Sequence, residues 1–181
     1  MKHVIMAMSK SAWSEGRTGA RKEQDWYLVV QEAVRIKKQQ GEDSVVVAVT
    51  GFTNVTFSLP EIECYKQALL DFDLKEGKDF YLLHEGIDTI TQLHAAHAFA
   101  VFHKTDFAVV STKLHVMRIR WLCFWDKIQA KHYTPPHLGI PRREEIVNDI
   151  VLTVLFPFID IFGLRSRFLA YLEKRRAKGI L

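Results

Sequence analysis

The stretch DFAVVSTKLHVMRIRWL, residues 106 to 122, starts as a short apolar run and continues with helical spacing. A compact apolar run with little alternation is typical of a strand that is buried on both faces of a sheet. Runs of the same kind occur at residues 3–8 (HVIMAM), 44–49 (SVVVAV) and 79–83 (DFYLL). The sequence therefore predicts four buried strands, the last at 106–110, and a fifth near residues 130–134 (AKHYT).

Helical spacing fills the segments between these runs, at residues 20–40, 60–72 and 89–104. Gly41 is placed to end the first helix, Pro60 suits the first turn of the second, and Thr89 or Thr91 can cap the third. Strands that alternate with helices form a parallel sheet, because each return crossing needs a helix over one face. Right-handed crossovers then favour a three-layer, doubly wound α/β fold with a mainly parallel sheet.

The pattern from Pro141 onward is helical again, with interruptions at Pro157 and Gly163. We therefore expect a sheet domain of residues 1–140 and a helical C-terminal extension, 141–181, packed on the same domain. The 181 residues are 48% hydrophobic and 25% charged, which is ordinary for one globular domain.

The formal net charge of +4 is concentrated near the end of the chain, where six basic residues are opposed by Glu173 alone. The six are Arg165, Arg167, Lys174, Arg175, Arg176 and Lys178. Phe168, Leu169 and Leu172 fall on one side of the same segment, so packing on the sheet domain is its default interpretation. A dimer contact and peripheral association with a membrane surface also fit. Nucleic-acid binding would rest on this basic tail alone and is not expected.

Two cysteines, Cys64 and Cys123, share no spacing motif and lie in apolar helical patterns, which indicates reduced core residues. The most apolar stretch, residues 150–159, is shorter than the roughly 20 residues that a spanning helix needs. The apolar start at 3–8 is too short for a signal peptide. We expect a soluble, cytoplasmic protein.

Ligands of open α/β sheets bind outside the carboxyl ends of the strands. Polar residues and glycines follow each of the four predicted strands, and they define the candidate ligand-binding set. That set is Ser9, Ser11, Thr50, Gly51, Glu85, Asp88, Thr89, Ser111, Thr112, His115 and Arg118.

The last of these groups has a specific chemistry. Ser111 or Thr112 can cap the helix, whose first N–H groups attract anions. His115 and Arg118 are three residues apart and share one helix face, where Arg118 can offer a fork to phosphate or carboxylate and His115 can donate or carry a proton. An ordinary cap, a partly buried histidine and a surface arginine explain the same pattern, and both interpretations remain open.

Other site signatures are weak or absent. The histidines His94, His97 and His103 lie in a helix rich in Ala, Phe and Val, so we interpret them as packing residues and predict no metal site. The sequence contains no GxGxxG, GxxxxGK[ST] or GxSxG motif. Classical dinucleotide, P-loop and α/β-hydrolase sites are therefore unsupported.

The order of residues in VVSTKLHVMR, 109–118, resembles the YdcF-like family, in which a strand leads into Thr or Ser, then His, then Arg three residues later. Here these positions are Ser111 or Thr112, His115 and Arg118. The stretch EGIDTITQ, 85–92, resembles the same family's acidic residue followed by Asn-Thr and, three residues later, Asn. The matching residues are Glu85, Asp88, Thr89 and Gln92.

Further matches to that family are partial. Thr50-Gly51 matches part of its Ser-Gly-Gly, and Glu61 or Glu63 is the candidate for an acidic residue in the next helix. The loop after the first strand, Met8-Ser9-Lys10-Ser11, lacks the family's glycines, and Arg17 and Arg21 compete for a family arginine. A carboxylate at Asp88 would repel a phosphate unless Lys10 or Arg118 compensates. The resemblance covers about residues 3 to 125.

The resemblance implies a Rossmann-like domain with a pocket at the strand ends, and S-adenosylmethionine or a nucleotide as a possible ligand. Three functions are compatible with the residues. The first is binding of a small anionic or nucleotide-like ligand. The second is a hydrolase or transferase acting on a phosphorylated substrate, with Glu85 or Asp88 as general base and His115 as acid. The third is a non-catalytic structural or partner-binding protein.

The sharpest expectation from the sequence concerns Glu85 and Arg118. Because both follow strands whose carboxyl ends meet at one edge, we expect them to line one cleft together with Thr89 and His115. Their opposite charges would hold the guanidinium in place until an anion competes for it.

Overall fold

The structure is a computed structural model that describes residues 1–8, 25–51, 53–54, 59–86, 88–136 and 143–177. Within these ranges only the backbone is described at residues 53–54, 59, 143–149, 172–173 and 175–177. Ser9, Lys10, Ser11, Arg17, Arg21 and Lys178 lie outside these ranges. The strands are β1 (His3–Ala7), β2 (Ser44–Val49), β3 (Thr53–Asn54), β4 (Leu59–Pro60), β5 (Phe80–Leu83), β6 (Asp106–Val110) and β7 (Lys131–Tyr133). The helices are α1 (Asp25–Gln40), α2 (Glu61–Asp71), α3 (Thr89–Phe102), α4 (Lys113–Trp125), α5 (Arg143–Ile161) and α6 (Arg165–Ala177).

Five strands form one sheet in the order β5-β2-β1-β6-β7, and every pairing in it is parallel. The register aligns Ile5 with Val46 on one side and with Ala108 on the other. The four predicted strands and the fifth near 130–134 are all present. The pair β3–β4 is a separate two-stranded antiparallel ribbon, which the sequence did not predict. Pro60 ends that ribbon as the N-cap of α2, one residue before the helical turn expected for it.

Helices cover both faces of the sheet, so the domain has three layers. Side chains alternate along a strand, and Ile5 and Ala7 belong to one buried cluster while Val4 and Met6 belong to the other. The first cluster contains residues of α1 and α2, and the second contains residues of α3, α4 and α5. A parallel sheet between two helical layers is the doubly wound, Rossmann-like α/β fold that the alternation of strands and helices predicts.

The direction of winding reverses between β1 and β6. From β1 the chain proceeds through β2 to β5 on one side, and it then returns through α3 to β6 and β7 on the other. Adjacent strands whose following helices lie on opposite faces create a crevice at the carboxyl edge, the usual ligand site of such sheets. The hydrogen bonds between neighbouring strands continue to this edge, since the Met8 N–H donates to Val110 O (3.0 Å) and the Ser111 N–H donates to Tyr133 O (3.1 Å).

The C-terminal segment is helical and contacts the domain. Phe156 and Ile159 of α5 are buried, and Phe168 and Leu169 of α6 pack partly against the second cluster. Pro157 lies inside α5, so the predicted interruption there is wrong, whereas Gly163, at φ +66°, separates the two helices. Within the described part of the chain, no helix has the length and apolar content that a membrane crossing requires.

Candidate functional site

The loops after β2 and β5 are tied together at the carboxyl edge. The Thr50 N–H donates to Leu83 O (3.0 Å), and the Gly51 N–H donates to Gly86 O (2.8 Å). The Thr50 hydroxyl lies 3.3 Å from a carboxylate oxygen of Glu61, and both residues are buried. Glu63, in contrast, is exposed. Of the two acidic residues that the sequence left open, Glu61 is the one that reaches this edge.

The β6–α4 junction lies directly beside the crevice. Ser111 is 0% exposed, and its hydroxyl has no hydrogen-bond partner among the described residues. Because side chains alternate, Ser111 projects to the same face as Val109, which is the face covered by α3 and α4. Thr112 occupies the N-cap position of α4, but its side chain makes no capping hydrogen bond within the described ranges. The expected side-chain cap of α4 by Ser111 or Thr112 is therefore not formed.

Thr89, His115 and Arg118 come together between α3 and α4. The Thr89 hydroxyl lies 3.3 Å from His115 Nε2, and it accepts a hydrogen bond from Arg118 Nη2 at 3.4 Å. His115 and Arg118 are 2% and 4% exposed, and α5 covers Arg118. The Arg118 guanidinium carbon lies 5.7 Å from the ring centroid of Phe156 on that helix. The alternative of a surface arginine is therefore wrong.

The structure does not pair Glu85 with Arg118. Glu85 lies exposed in the loop after β5, and no ion pair between the two residues occurs in the part of the chain that the structure describes. The reason is the depth of the arginine, which extends under α5 toward Thr89 instead of outward to the loop. Thr89 and His115 do lie beside Arg118, as expected.

Asp88 caps α3. One of its carboxylate oxygens accepts from the Ile90 and Thr91 N–H groups at 2.8 and 3.0 Å, and the other accepts from the Thr91 hydroxyl at 3.0 Å. The Thr91 hydroxyl also accepts from the Asp88 N–H at 3.4 Å, which completes a capping box. The expected cap by Thr89 or Thr91 is corrected accordingly, and the Thr89 hydroxyl is left to meet His115 and Arg118. An acidic residue at position 88 has a structural explanation.

The turn before this cap depends on Gly86, whose φ is +75°. A Cβ atom there would lie 2.6 Å from the backbone nitrogen of Gln92. We predict that Gly86→Ala lowers the free energy of unfolding by about 2 kcal/mol, from the positive φ and the backbone clash together. Urea denaturation measures the change.

Gly41→Ala is the matched control, because Gly41 also has a positive φ (+89°) but has nothing within 4 Å of an added Cβ. We expect Gly41→Ala to lower the free energy of unfolding by about 1 kcal/mol, which is the cost of the positive φ without a steric clash. Equal losses for the two variants would contradict the close approach of Gly86 to α3.

A buried polar network, which sequence analysis missed, links the C-terminal helices to the domain. Asp160 accepts from Trp121 Nε1 and from Arg165 Nε, both at 2.7 Å. Arg165 also donates to Asp126, whose other oxygen lies 2.7 Å from His94 Nε2. Burial alone would lower the pKa of Arg165, but hydrogen bonds and charges of Asp160 and Asp126 outweigh it and raise that pKa. Three of the four contacts span 32 to 39 positions, so no local pattern signals them.

The helical histidines have different environments. His94, interpreted from sequence as a packing residue, is instead half exposed and paired with Asp126. His97 packs against Phe107, and burial, together with the nearby His94, lowers its pKa. Burial also raises the pKa of the Cys123 thiol to about 11, with a contribution from Asp126. Among the described residues, no group of three or more His, Cys, Asp or Glu is arranged to hold a metal ion.

Comparisons of the chain with protein-family models, curated proteins and solved structures gave no match.

Proposed function

We propose that the protein binds a small anionic or nucleotide-like ligand in the crevice between β1 and β6. The β6–α4 junction carries this proposal. Ser111 is fully buried there with no hydrogen-bond partner among the described residues, and α4 starts directly after it without a cap from the Thr112 side chain. The first N–H groups of a helix have no carbonyl partner within it, and together with the helix dipole they favour a negative charge.

The cluster beside this junction adds positive charge and donors. Arg118 supplies a planar fork that suits phosphate or carboxylate, and its Nη2 already contacts the Thr89 hydroxyl. His115 belongs to the first turn of α4 and shares that hydroxyl. Three side chains from two helices thus line the cationic side of the proposed site. His115 and Arg118 are buried, and Phe156 of α5 lies over Arg118, so water is excluded and electrostatic contacts to an anion are strengthened.

The resemblance to the YdcF-like family supports S-adenosylmethionine and nucleotides as the first ligands to examine. Both carry charged groups that a helix N-terminus and an arginine can hold. Cys64 and Cys123 are buried thiols, which fits a reducing compartment, and we propose that the protein acts in the cytoplasm.

A hydrolase or transferase acting on a phosphorylated substrate is the second candidate. It is favoured by His115, whose Nε2 lies within hydrogen-bonding distance of Thr89 next to an arginine, a suitable position for a general acid. Glu85 is the better candidate for the general base, since the carboxylate of Asp88 already accepts hydrogen bonds from the first turn of α3. Phosphate release from sugar phosphates or nucleotides that is lost in the His115→Asn variant supports this function, and release that persists in that variant contradicts the assigned role.

A thermal-shift panel tests ligand binding itself. The probes are inorganic pyrophosphate, AMP, ATP, S-adenosylmethionine and glucose 6-phosphate. We expect at least one to raise the Tm in a concentration-dependent way, because a ligand that binds only the folded state stabilises it by mass action. The shift should shrink in Ser111→Ala and persist in Ser166→Ala, an exposed serine of α6. An unchanged Tm with every probe, or an equal shift in both variants, would contradict the proposed site.

A further inference from the structure

Helix α5 is apolar on both of its sides from Ile150 to its end at Ile161, and Phe162, which follows it directly, continues the pattern. One side packs on the domain through the buried residues Phe156 and Ile159. The other side carries large apolar residues that are 38–69% exposed. They are Ile150, Val151, Val154, Leu155, Phe158, Ile161 and Phe162. At 100° per residue these seven positions fall within an arc of about 140°, so they form one continuous surface, the apolar face of α5.

Such a face needs a partner. A helix that is apolar all round is ordinarily buried, and contiguous exposed apolar surface marks an interaction site. The neighbouring helix α4 also exposes Phe124 (74%) and Trp125 (40%).

The charged residues of α6 whose side chains are described and exposed, Arg167 and Lys174, are both positive. Arg167, Tyr171 and Lys174 are exposed on α6 at a spacing of four and three residues, which places them on one side of that helix. Between Ile150 and Tyr171 the sequence contains a single acidic residue, Asp160. Its side chain is 0% exposed and binds Trp121 and Arg165. The consecutive helices α5 and α6 therefore expose both apolar side chains and cations.

We infer that α5 and α6 dock the protein on the surface of an anionic lipid bilayer. The acyl chains would receive the apolar face of α5, and the lipid phosphates would meet Arg167 and Lys174. Phe158, Phe162 and Tyr171 are aromatic residues of the kind found at the headgroup boundary. A second copy of the chain fits less well, because pairing identical faces would bring like charges together. In this arrangement α5 lies along the bilayer surface, since no helix among the described residues is long and apolar enough to cross a membrane.

Flotation of the full chain with lipid vesicles tests this inference. We expect binding to vesicles of phosphatidylcholine mixed with phosphatidylglycerol, and about tenfold weaker binding to phosphatidylcholine alone. Phe158→Ser combined with Phe162→Ser should weaken binding by about tenfold or more, because two exposed apolar side chains no longer enter the bilayer. Arg167→Glu combined with Lys174→Glu should weaken it by about tenfold, and added salt should weaken the wild type.

Matched controls change equivalent residues elsewhere. Phe102→Ser removes an aromatic ring that is 80% exposed on α3, and Lys38→Glu with Lys75→Glu reverses two exposed charges away from α6. Both should bind vesicles like the wild type. No flotation with the mixed vesicles at low salt would overturn the inference, and so would undiminished binding by the Phe158→Ser/Phe162→Ser variant. A wild-type dimer that this variant converts to a monomer, without vesicle binding, would assign the face to a second copy instead.

Discussion

Replacing Asp160 with alanine is expected to lower the free energy of unfolding by about 3 kcal/mol, because it removes one partner of a buried ion pair. The Asp160 side chain is 0% exposed and its two oxygens hold Arg165 Nε and Trp121 Nε1. Without the carboxylate, Arg165 keeps only Asp126 as a described ionic partner, and the indole N–H of Trp121 loses its acceptor. Urea denaturation followed by tryptophan fluorescence measures the loss.

The Glu76→Ala variant is the matched control, since it also removes a carboxylate from an ion pair. Glu76 binds Lys66 at 2.9 Å, but both side chains are more than a third exposed, so the expected cost is below about 1 kcal/mol. Adding Arg165→Met to Asp160→Ala should recover part of the stability, because the partly buried charge is removed as well. If Asp160→Ala and Glu76→Ala lower the free energy of unfolding by the same amount, the hydrogen bonds of Asp160 to Trp121 and Arg165 do not anchor α5 and α6.

Replacing Arg118 with lysine is expected to weaken binding of an anionic ligand by about 1.5–3 kcal/mol, roughly 10- to 150-fold. Lysine keeps the positive charge but loses the planar fork that can bind two oxygens at once. The fork lies next to Thr89 and His115 at the start of α3 and α4, so its loss acts at the site itself. Isothermal titration with the probe that gives the largest thermal shift measures the change.

Arg120→Lys is the control for this prediction. Arg120 is exposed and lies two residues further along the same helix, so the same arginine-to-lysine substitution is made there outside the site. We expect its ligand affinity to equal that of the wild type. An Arg118→Lys protein that binds as tightly as Arg120→Lys would show that the Arg118 fork does not contact the ligand.

The sheet could be predicted from sequence because its strands are buried on both faces. All six residues of β2 are buried, and the corresponding run SVVVAV contains no charge. The edge strand β7 has Lys131 exposed, and only its position before the Pro135–Pro136 break indicated it. The end of α1 followed from Gly41, whose φ of +89° few other residues adopt.

The site could be predicted only in part. Helix spacing placed His115 and Arg118 together, and strand order brought Thr89 to them. Helical spacing does not indicate how deeply a side chain is buried, so the sequence did not predict that Phe156 covers Arg118. The sequence analysis assigned the cap of α3 to Thr89 or Thr91 and missed Asp88, because aspartate and threonine both suit that position.

Anion binding at the β6–α4 junction can be observed by a two-dimensional ¹⁵N–¹H NMR titration with pyrophosphate and with AMP. We expect saturable shifts of the amide signals of Ser111, Thr112, Lys113 and Leu114, with a smaller shift at Thr89, and weaker binding by Ser111→Ala. Saturable shifts confined to the basic helix α6, or no shift at the junction at saturating probe, would contradict it.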